Sequence, residues 1–205
     1  KNISILNNEN YIYYDDKYIL TKSDQNSNAY DILLFARRDI KNATIPNFIK
    51  IIAEFAFEKC NQIEQIQISN NNSNLKIIDN YAFSESSIKS IIIPPNLISI
   101  GEYAFSGCTN FQQIIIPNNS QLQEIGQGAF SDSALEQIII PPKVKEINDN
   151  IFYRCKRFRK IEFIENSQIE RIGKYAFCET SLKNIVIPQH VSIIDEYAFN
   201  SCMNF

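Results

Sequence analysis

Tryptophan is absent from this chain of 205 residues, methionine and histidine occur once each, and glycine only five times. Each shortage excludes something. A single histidine, His190, leaves any nucleophilic triad or imidazole metal site with one candidate base. No G-x-S-x-G turn supplies a matching nucleophile. The glycines are too few and too evenly spread for a phosphate-cradling loop, and no G-x-x-x-x-G-K-[ST] run exists. Paired C-x-x-C ligands for zinc are also missing. Twenty basic residues against 23 acidic ones give a net charge of -3, so no basic surplus draws the chain to nucleic acid or anionic lipid. No uninterrupted apolar run approaches the roughly 20 residues of a membrane-spanning helix. The expectation is a non-enzyme without a cofactor or metal.

What the chain does have is a repeat. The dipeptide Ala-Phe recurs at Phe57, Phe83, Phe105, Phe130, Phe177 and Phe199, with Ile-Phe at Phe152. From Phe83 onward the gaps are 22, 25, 22, 25 and 22 residues, so two coil lengths alternate. Upstream of each Phe lies an apolar pair three apart, such as Leu97/Ile100 or Val144/Ile147. Downstream lies a β-branched triplet, such as Ile91-Ile92-Ile93, Ile114-Ile115-Ile116 or Ile138-Ile139-Ile140. Those side chains favour a pleated strand. Pro46, Pro94, Pro117, Pro141 and Pro188 then follow and stop it, because proline cannot donate to the ladder. One short strand per coil is expected, the strands stacking into a parallel sheet. After each upstream pair comes Ala53, Asp79, Gly101, Gly126, Asn148, Gly173 or Asp195. Six of these seven are Gly, Asn or Asp, types that suit a helix N-cap or a left-handed turn. Either way a short helical segment carrying Ala-Phe is expected next.

The frame "LISIGEYAFSGCTNFQQIIIP" resembles the BspA-like, Treponema-pallidum-type leucine-rich repeat, over about residues 36–205. The stretch "DILLFARRDIKNATIP" resembles the opening segment of protozoan members. The resemblance implies an α/β repeat solenoid, a right-handed stack with a parallel sheet on its concave face and short helical or turn segments on the convex side. It also implies adhesion and protein–protein interaction at a cell surface or in secreted form. An intracellular interaction scaffold is the alternative.

Two segments frame the repeats. Residues 1–35 depart from the frame and are expected to cap the stack, with a hairpin formed by Tyr11–Tyr14 and Lys17–Thr21 around Asp15-Asp16. Residues 36–205 hold about seven repeats. The chain starts at Lys1 rather than Met, and Cys202–Phe205 matches Cys108–Phe111, so it stops inside a coil. It is therefore expected to be a piece of a longer protein, with further repeats or an end-to-end self-association at the open end.

Four of the five cysteines, Cys60, Cys108, Cys155 and Cys202, sit three residues after the repeat Phe. Equivalent thiols two coils apart would lie near 10 Å, since strands stack about 4.8 Å apart. That exceeds the roughly 7 Å that a disulfide spans between Cα atoms. Buried free thiols are expected, with Cys178 against Cys155 or Cys202 as the pairing to test. The cluster Arg154, Lys156, Arg157, Arg159 and Lys160 reads as a solvated turn, partly neutralised by Glu162, Glu165 and Glu170. Asn2, Asn42, Asn71 and Asn118 stand in N-x-[ST] sequons, which matter only in a secreted protein.

Side chains alternate along a strand. If the outer triplet residues point inward, the middle ones form an exposed row: Thr44, Gln67, Ile92, Ile115, Ile139, Glu162 and Val186. The row two residues earlier holds Asn42, Gln65, Ser90, Gln113, Gln137, Lys160 and Asn184. An apolar stripe thus runs between an amide row and a row of prolines. Such a stripe is either β-propensity written onto an outer face or a protein-binding surface. The candidate contact residues are Gln67, Ile92, Gln113, Ile115, Gln137, Ile139, Lys160, Glu162 and Val186.

Overall fold

The computed structural model describes residues 8–69 and 72–202. In chain order its strands are β1 (Tyr11–Tyr14), β2 (Tyr18–Thr21), β3 (Ile32–Ala36), β4 (Asn42–Ile45), β5 (Ile51–Ile52), β6 (Gln65–Ile68), β7 (Ile77–Ile78), β8 (Ser90–Ile92), β9 (Ser99–Ile100), β10 (Gln113–Ile115), β11 (Glu124–Ile125), β12 (Gln137–Ile140), β13 (Glu146–Ile147), β14 (Lys160–Phe163), β15 (Arg171–Ile172) and β16 (Ile193–Ile194). From β4 to β15 long and short strands alternate, and each long–short pair with the turn after it is one coil of a parallel-strand solenoid of about seven turns.

The β-branched triplets form the long strands. Parallel ladders run β4–β6 and β8–β10–β12–β14, with Gln113 opposite Ser90 and Gln137, and Ile139 opposite Glu162. The second members of the upstream pairs form a separate row of two-residue strands, β5–β7–β9–β11 and β13–β15–β16. A coil therefore carries two strands rather than the single one expected. The second was hidden because a two-residue bridge leaves no period-2 pattern. The seventh coil departs in the other direction. Ile185-Val186-Ile187 matches the triplet but forms no strand, and Val186 is 86% exposed.

Among the described residues there is no helix, so the expected helical segment on the far side of each coil is absent. Tandem turns take its place. In the fourth coil Ala129 N–H donates to Gly126 C=O, and Ser133 N–H to Phe130 C=O. The third residue of each turn has positive φ: Phe55/Lys59, Tyr81/Glu85, Tyr103/Gly107, Gly128/Asp132, Asn150/Arg154, Tyr175/Glu179 and Tyr197/Ser201. A left-handed residue every fourth position is incompatible with an α-helix. The pattern persists because coils bond to each other at those very residues. Tyr81 N–H donates to Glu102 C=O at 2.9 Å, Tyr103 N–H to Gln127 C=O at 2.9 Å and Glu85 N–H to Ser106 C=O at 2.8 Å. The Ala-Phe positions join the same ladder, as in Phe83 N–H to Ala104 C=O at 2.8 Å.

The repeat Phe residues stack through the interior. Phe57, Phe83, Phe105, Phe130, Phe152, Phe177 and Phe199 lie with centroids 4.8–5.8 Å apart and planes within 20°. Phe57 to Phe177 are fully buried. The upstream pairs and the inward triplet residues complete a continuous core. Gly101, Gly126 and Gly173 follow the short strands without a left-handed backbone. They are glycine because a Cβ there would meet the previous coil, at 2.6 Å from Asn80 N for Gly101 and from Glu102 N for Gly126.

At the amino-terminal side β1 and β2 form an antiparallel hairpin around Asp15 and Asp16, both with positive φ. β2 pairs antiparallel with β3, and β3 pairs parallel with β5, extending the short-strand row. Tyr18, Leu20, Leu33 and Ala36 are fully buried against the first coil. Asp31 ties these parts together. It accepts from Ser23 N–H at 2.8 Å and Ser23 O–H at 2.7 Å, and it pairs with Lys50 at 2.9 Å. Burial pushes the Asp31 carboxyl up, but the bonds from Lys50 and Ser23 outweigh it and hold the group below its ordinary value.

Candidate protein-binding face

The long strands position the candidate site. Their burial alternates as period-2 geometry demands: Gln113 exposed, Ile114 buried, Ile115 exposed in β10; Gln137, Ile138, Ile139 and Ile140 likewise in β12. Parallel register then aligns equivalent residues of neighbouring coils. Ile92, Ile115 and Ile139 form one column, 44%, 42% and 46% exposed. Gln113, Gln137 and Lys160 form the column beside it, all exposed. Gln113, Ile115, Gln137, Ile139, Lys160 and Glu162 line one groove of about 220 Å³. Lys160 and Glu162, both half-exposed, form an ion pair at the end of the stripe.

Three features of this face differ from expectation. The proline border is incomplete, since Pro94 and Pro141 are buried and only half of Pro117 and Pro188 shows. Gln67 sits on β6, which pairs with β4 and forms no ladder with β8, although Gln67 still lines one shallow groove with Thr44 and Ile92. Val186 lies outside any strand. It instead lines a larger cleft of about 980 Å³ with Lys160, Glu162, Phe163, Ile187 and His190, where residues 184–187 fail to close on β14. His190 is exposed, and its ring lies 3.2 Å from the side-chain nitrogen of the neighbouring Gln189.

Three residues of the basic cluster form ion pairs, two of them between coils. Arg154 meets Glu179 at 3.3 Å, Arg159 meets Glu136 at 2.6 Å and Lys160 meets Glu162. Two of these partners lie a full coil away in sequence, and the expected Glu165 and Glu170 are not among them. The sequon residues Asn42 and Asn118 are exposed, while Asn2 and Asn71 lie outside the described residues. All five cysteines are free; four are buried and Cys202 is half-buried. Among the described residues no group of histidine, cysteine or carboxylate side chains could hold a metal ion, and no helix is long and apolar enough to cross a membrane.

Sequence patterning overlooked a second surface column. Phe55, Tyr81 and Tyr103 stack at 5.2 Å on the turn face, two residues before the repeat Phe. The column lapses at Gly128 and Asn150 and resumes with Tyr175 and Tyr197, 5.1 Å apart. The signal was present as Tyr-Ala-Phe. Within each run the rings cover one another's faces, while Phe55 and Tyr197 remain exposed.

The BspA type Leucine rich repeat region model matches this chain in six copies over residues 28–155 and 76–205. Among curated proteins none matches. Solved structures are similar. A leucine rich cell surface protein of Faecalibacterium prausnitzii A2-165 aligns with TM-score 0.76 and 23% identity over 93% of this chain and 52% of its own. A leucine-rich repeat protein of Eubacterium ventriosum aligns with TM-score 0.75 and 19% identity over 95% of this chain and 50% of its own. The Treponema pallidum leucine rich repeat protein aligns with TM-score 0.57 and 21% identity over 73% and 82%. The chain spans about half the length of the first two. All three are bacterial, and the likeness of residues 31–46 to a protozoan opening segment finds no counterpart among them.

Proposed function

The chain belongs to the BspA-type leucine-rich-repeat family, and from that premise we propose that it is a non-catalytic protein-binding module. It acts in surface adhesion and engages its partner through the long-strand face, the concave one in the family's solenoid. Repeat proteins of this kind mediate protein interaction typically at surfaces, and the Faecalibacterium structure is described as that of a cell surface protein.

The observation that carries the reading is the Ile92–Ile115–Ile139 column. The inward-facing isoleucines of the same strands are almost completely buried, with Ile91 at 1% and Ile138 at 3% exposure. A contiguous apolar stripe in a sheet otherwise faced with amides and charges is the arrangement of an interaction surface. Apolar contact would supply affinity, and the flanking Gln113, Gln137, Lys160 and Glu162 would set orientation. An intracellular scaffold would use the same surface, and the compartment of the whole protein separates the two.

The test compares the chain with the Ile115→Lys/Ile139→Lys double variant in capture of surface and matrix proteins. A partner kept by the parent chain should bind at least 10-fold more weakly to the variant, with far-ultraviolet circular dichroism unchanged. A partner held equally by both would move the site off this face.

A further inference from the structure

The position three residues after the repeat Phe reads, coil by coil, Cys60, Ser86, Cys108, Ser133, Cys155, Thr180 and Cys202. Thiol and hydroxyl alternate without exception. The structure stacks this position into one interior column. Ser86 Oγ lies 3.5 Å from Cys108 Sγ, Ser133 Oγ 3.5 Å from Cys155 Sγ, and Thr180 Oγ1 3.5 Å from Cys202 Sγ. Each thiol is held in place by a carbonyl of the coil before it. Cys108 donates to Phe83 C=O at 2.9 Å, Cys155 to Phe130 C=O at 2.9 Å and Cys202 to Phe177 C=O at 3.1 Å. Cys60, in the first coil, meets Arg37 C=O and the Arg38 guanidinium of the preceding segment instead.

Neighbouring positions in this column are at disulfide distance. Adjacent coils put Cα atoms about 5 Å apart, inside the roughly 4.4–6.8 Å range of disulfides, whereas positions two coils apart lie near 10 Å and outside it. We propose that the hydroxyl between every two thiols insulates them, so that the folded stack carries its column cysteines through an oxidising compartment without internal cross-links. Cys178 fits the scheme because it stands off the column, two positions earlier, where its sulfur faces Asn200 Nδ2 at 3.8 Å. Burial adds a kinetic barrier by pushing the Cys108 thiol up to about 11 and Cys155 up to about 12, which leaves little thiolate to attack. The inference is independent of the binding face, since none of these residues lies on it.

The test replaces one insulator. Wild type, Ser133→Cys and Ser86→Cys are unfolded and refolded to equilibrium in a glutathione redox buffer, then alkylated in acid-quenched denaturant and weighed. In either variant two protein thiols would lose two electrons and two protons to one glutathione disulfide, giving one protein disulfide and two glutathione molecules. Wild type should retain all five thiols. Each variant should lose two titratable thiols, with peptide mapping joining the introduced cysteine to Cys155 or Cys108. A disulfide within refolded wild type, Cys178–Cys202 above all, would overturn the proposal. So would variants that refold, by circular dichroism, with every thiol free.

Discussion

At the scale of single residues, the fold depends on backbone conformations that most side chains avoid. Left-handed φ costs a non-glycine residue about 1–2 kcal/mol. Here it occurs twice per coil, mostly in Tyr, Glu, Asp and Arg rather than Gly. An inter-coil N–H···O=C bond at the same residue returns about 1 kcal/mol. Where the residue is aromatic, stacking on the next coil adds about 0.5–1.5 kcal/mol. The balance therefore closes only when a neighbouring coil is present. Two glycines separate these effects. At Gly107, φ is +69° and a Cβ would lie 3.1 Å from the flexible Glu85 side chain. At Gly126 the backbone is not left-handed, but a Cβ would lie 2.6 Å from Glu102 N and 2.7 Å from Gly101 C. Gly107→Ala should cost about 1 kcal/mol. Gly126→Ala should cost about 2–3 kcal/mol, because two coils must part. Urea unfolding of both variants measures the difference; equal costs would refute close backbone approach as the reason for Gly126.

At the scale of elements, Asp31 is the joint between β3, the loop after β2 and the first coil. Its backbone carbonyl also accepts from Lys50 N–H at 2.7 Å. Asp31→Ala leaves Ser23 without its acceptor and should destabilise the chain by about 1–3 kcal/mol. The carboxyl is held below its ordinary value of 3.8, so its contribution is fully present above that value. It is lost as pH falls below 3.8 through the lower folded value. Between pH 4 and pH 7 the penalty of Asp31→Ala should stay constant, and it should shrink only in more acid solution. Thermal unfolding of both proteins across that range tests this; a penalty that vanishes by pH 5 would show that the Lys50 and Ser23 bonds do not hold the carboxylate.

At the scale of the whole molecule, the stack is a one-dimensional array in which each coil is stabilised by its neighbours. The two ends differ. On the amino-terminal side Tyr18, Leu20 and Leu33 cover the first coil completely. In the seventh coil Ile193 and Ile194 are 49% and 51% exposed, although the equivalent Ile147 and Ile172 are fully buried. Hydrogen exchange should therefore be slowest in the third to fifth coils and fastest over residues 183–197. Uniform protection across the seventh coil would contradict this order. Phe130→Ala, in the middle of the ring column, should cost about 3–5 kcal/mol. Tyr197→Ala, at the exposed end of the separate surface column, should cost under 1 kcal/mol.

The amino-acid order by itself specified the repeat, the coil lengths, the inward and outward sides of the triplets and the spacing of the equivalent thiols; it left Cys178 open. All of these follow from periodicity, because a side chain that recurs in register meets its own kind. Tertiary structure decided the rest. It replaced the helical segment by tandem turns, since bonds between coils outweigh the local preference of Glu-Tyr-Ala-Phe for a helix. It added a second strand per coil, too short to leave a pattern. It left β6 without a ladder to β8 and Val186 outside the sheet, because ladder formation depends on how neighbouring coils sit. The exposed isoleucine column was legible in the sequence as a row of letters; only the stacked coils made it a continuous surface.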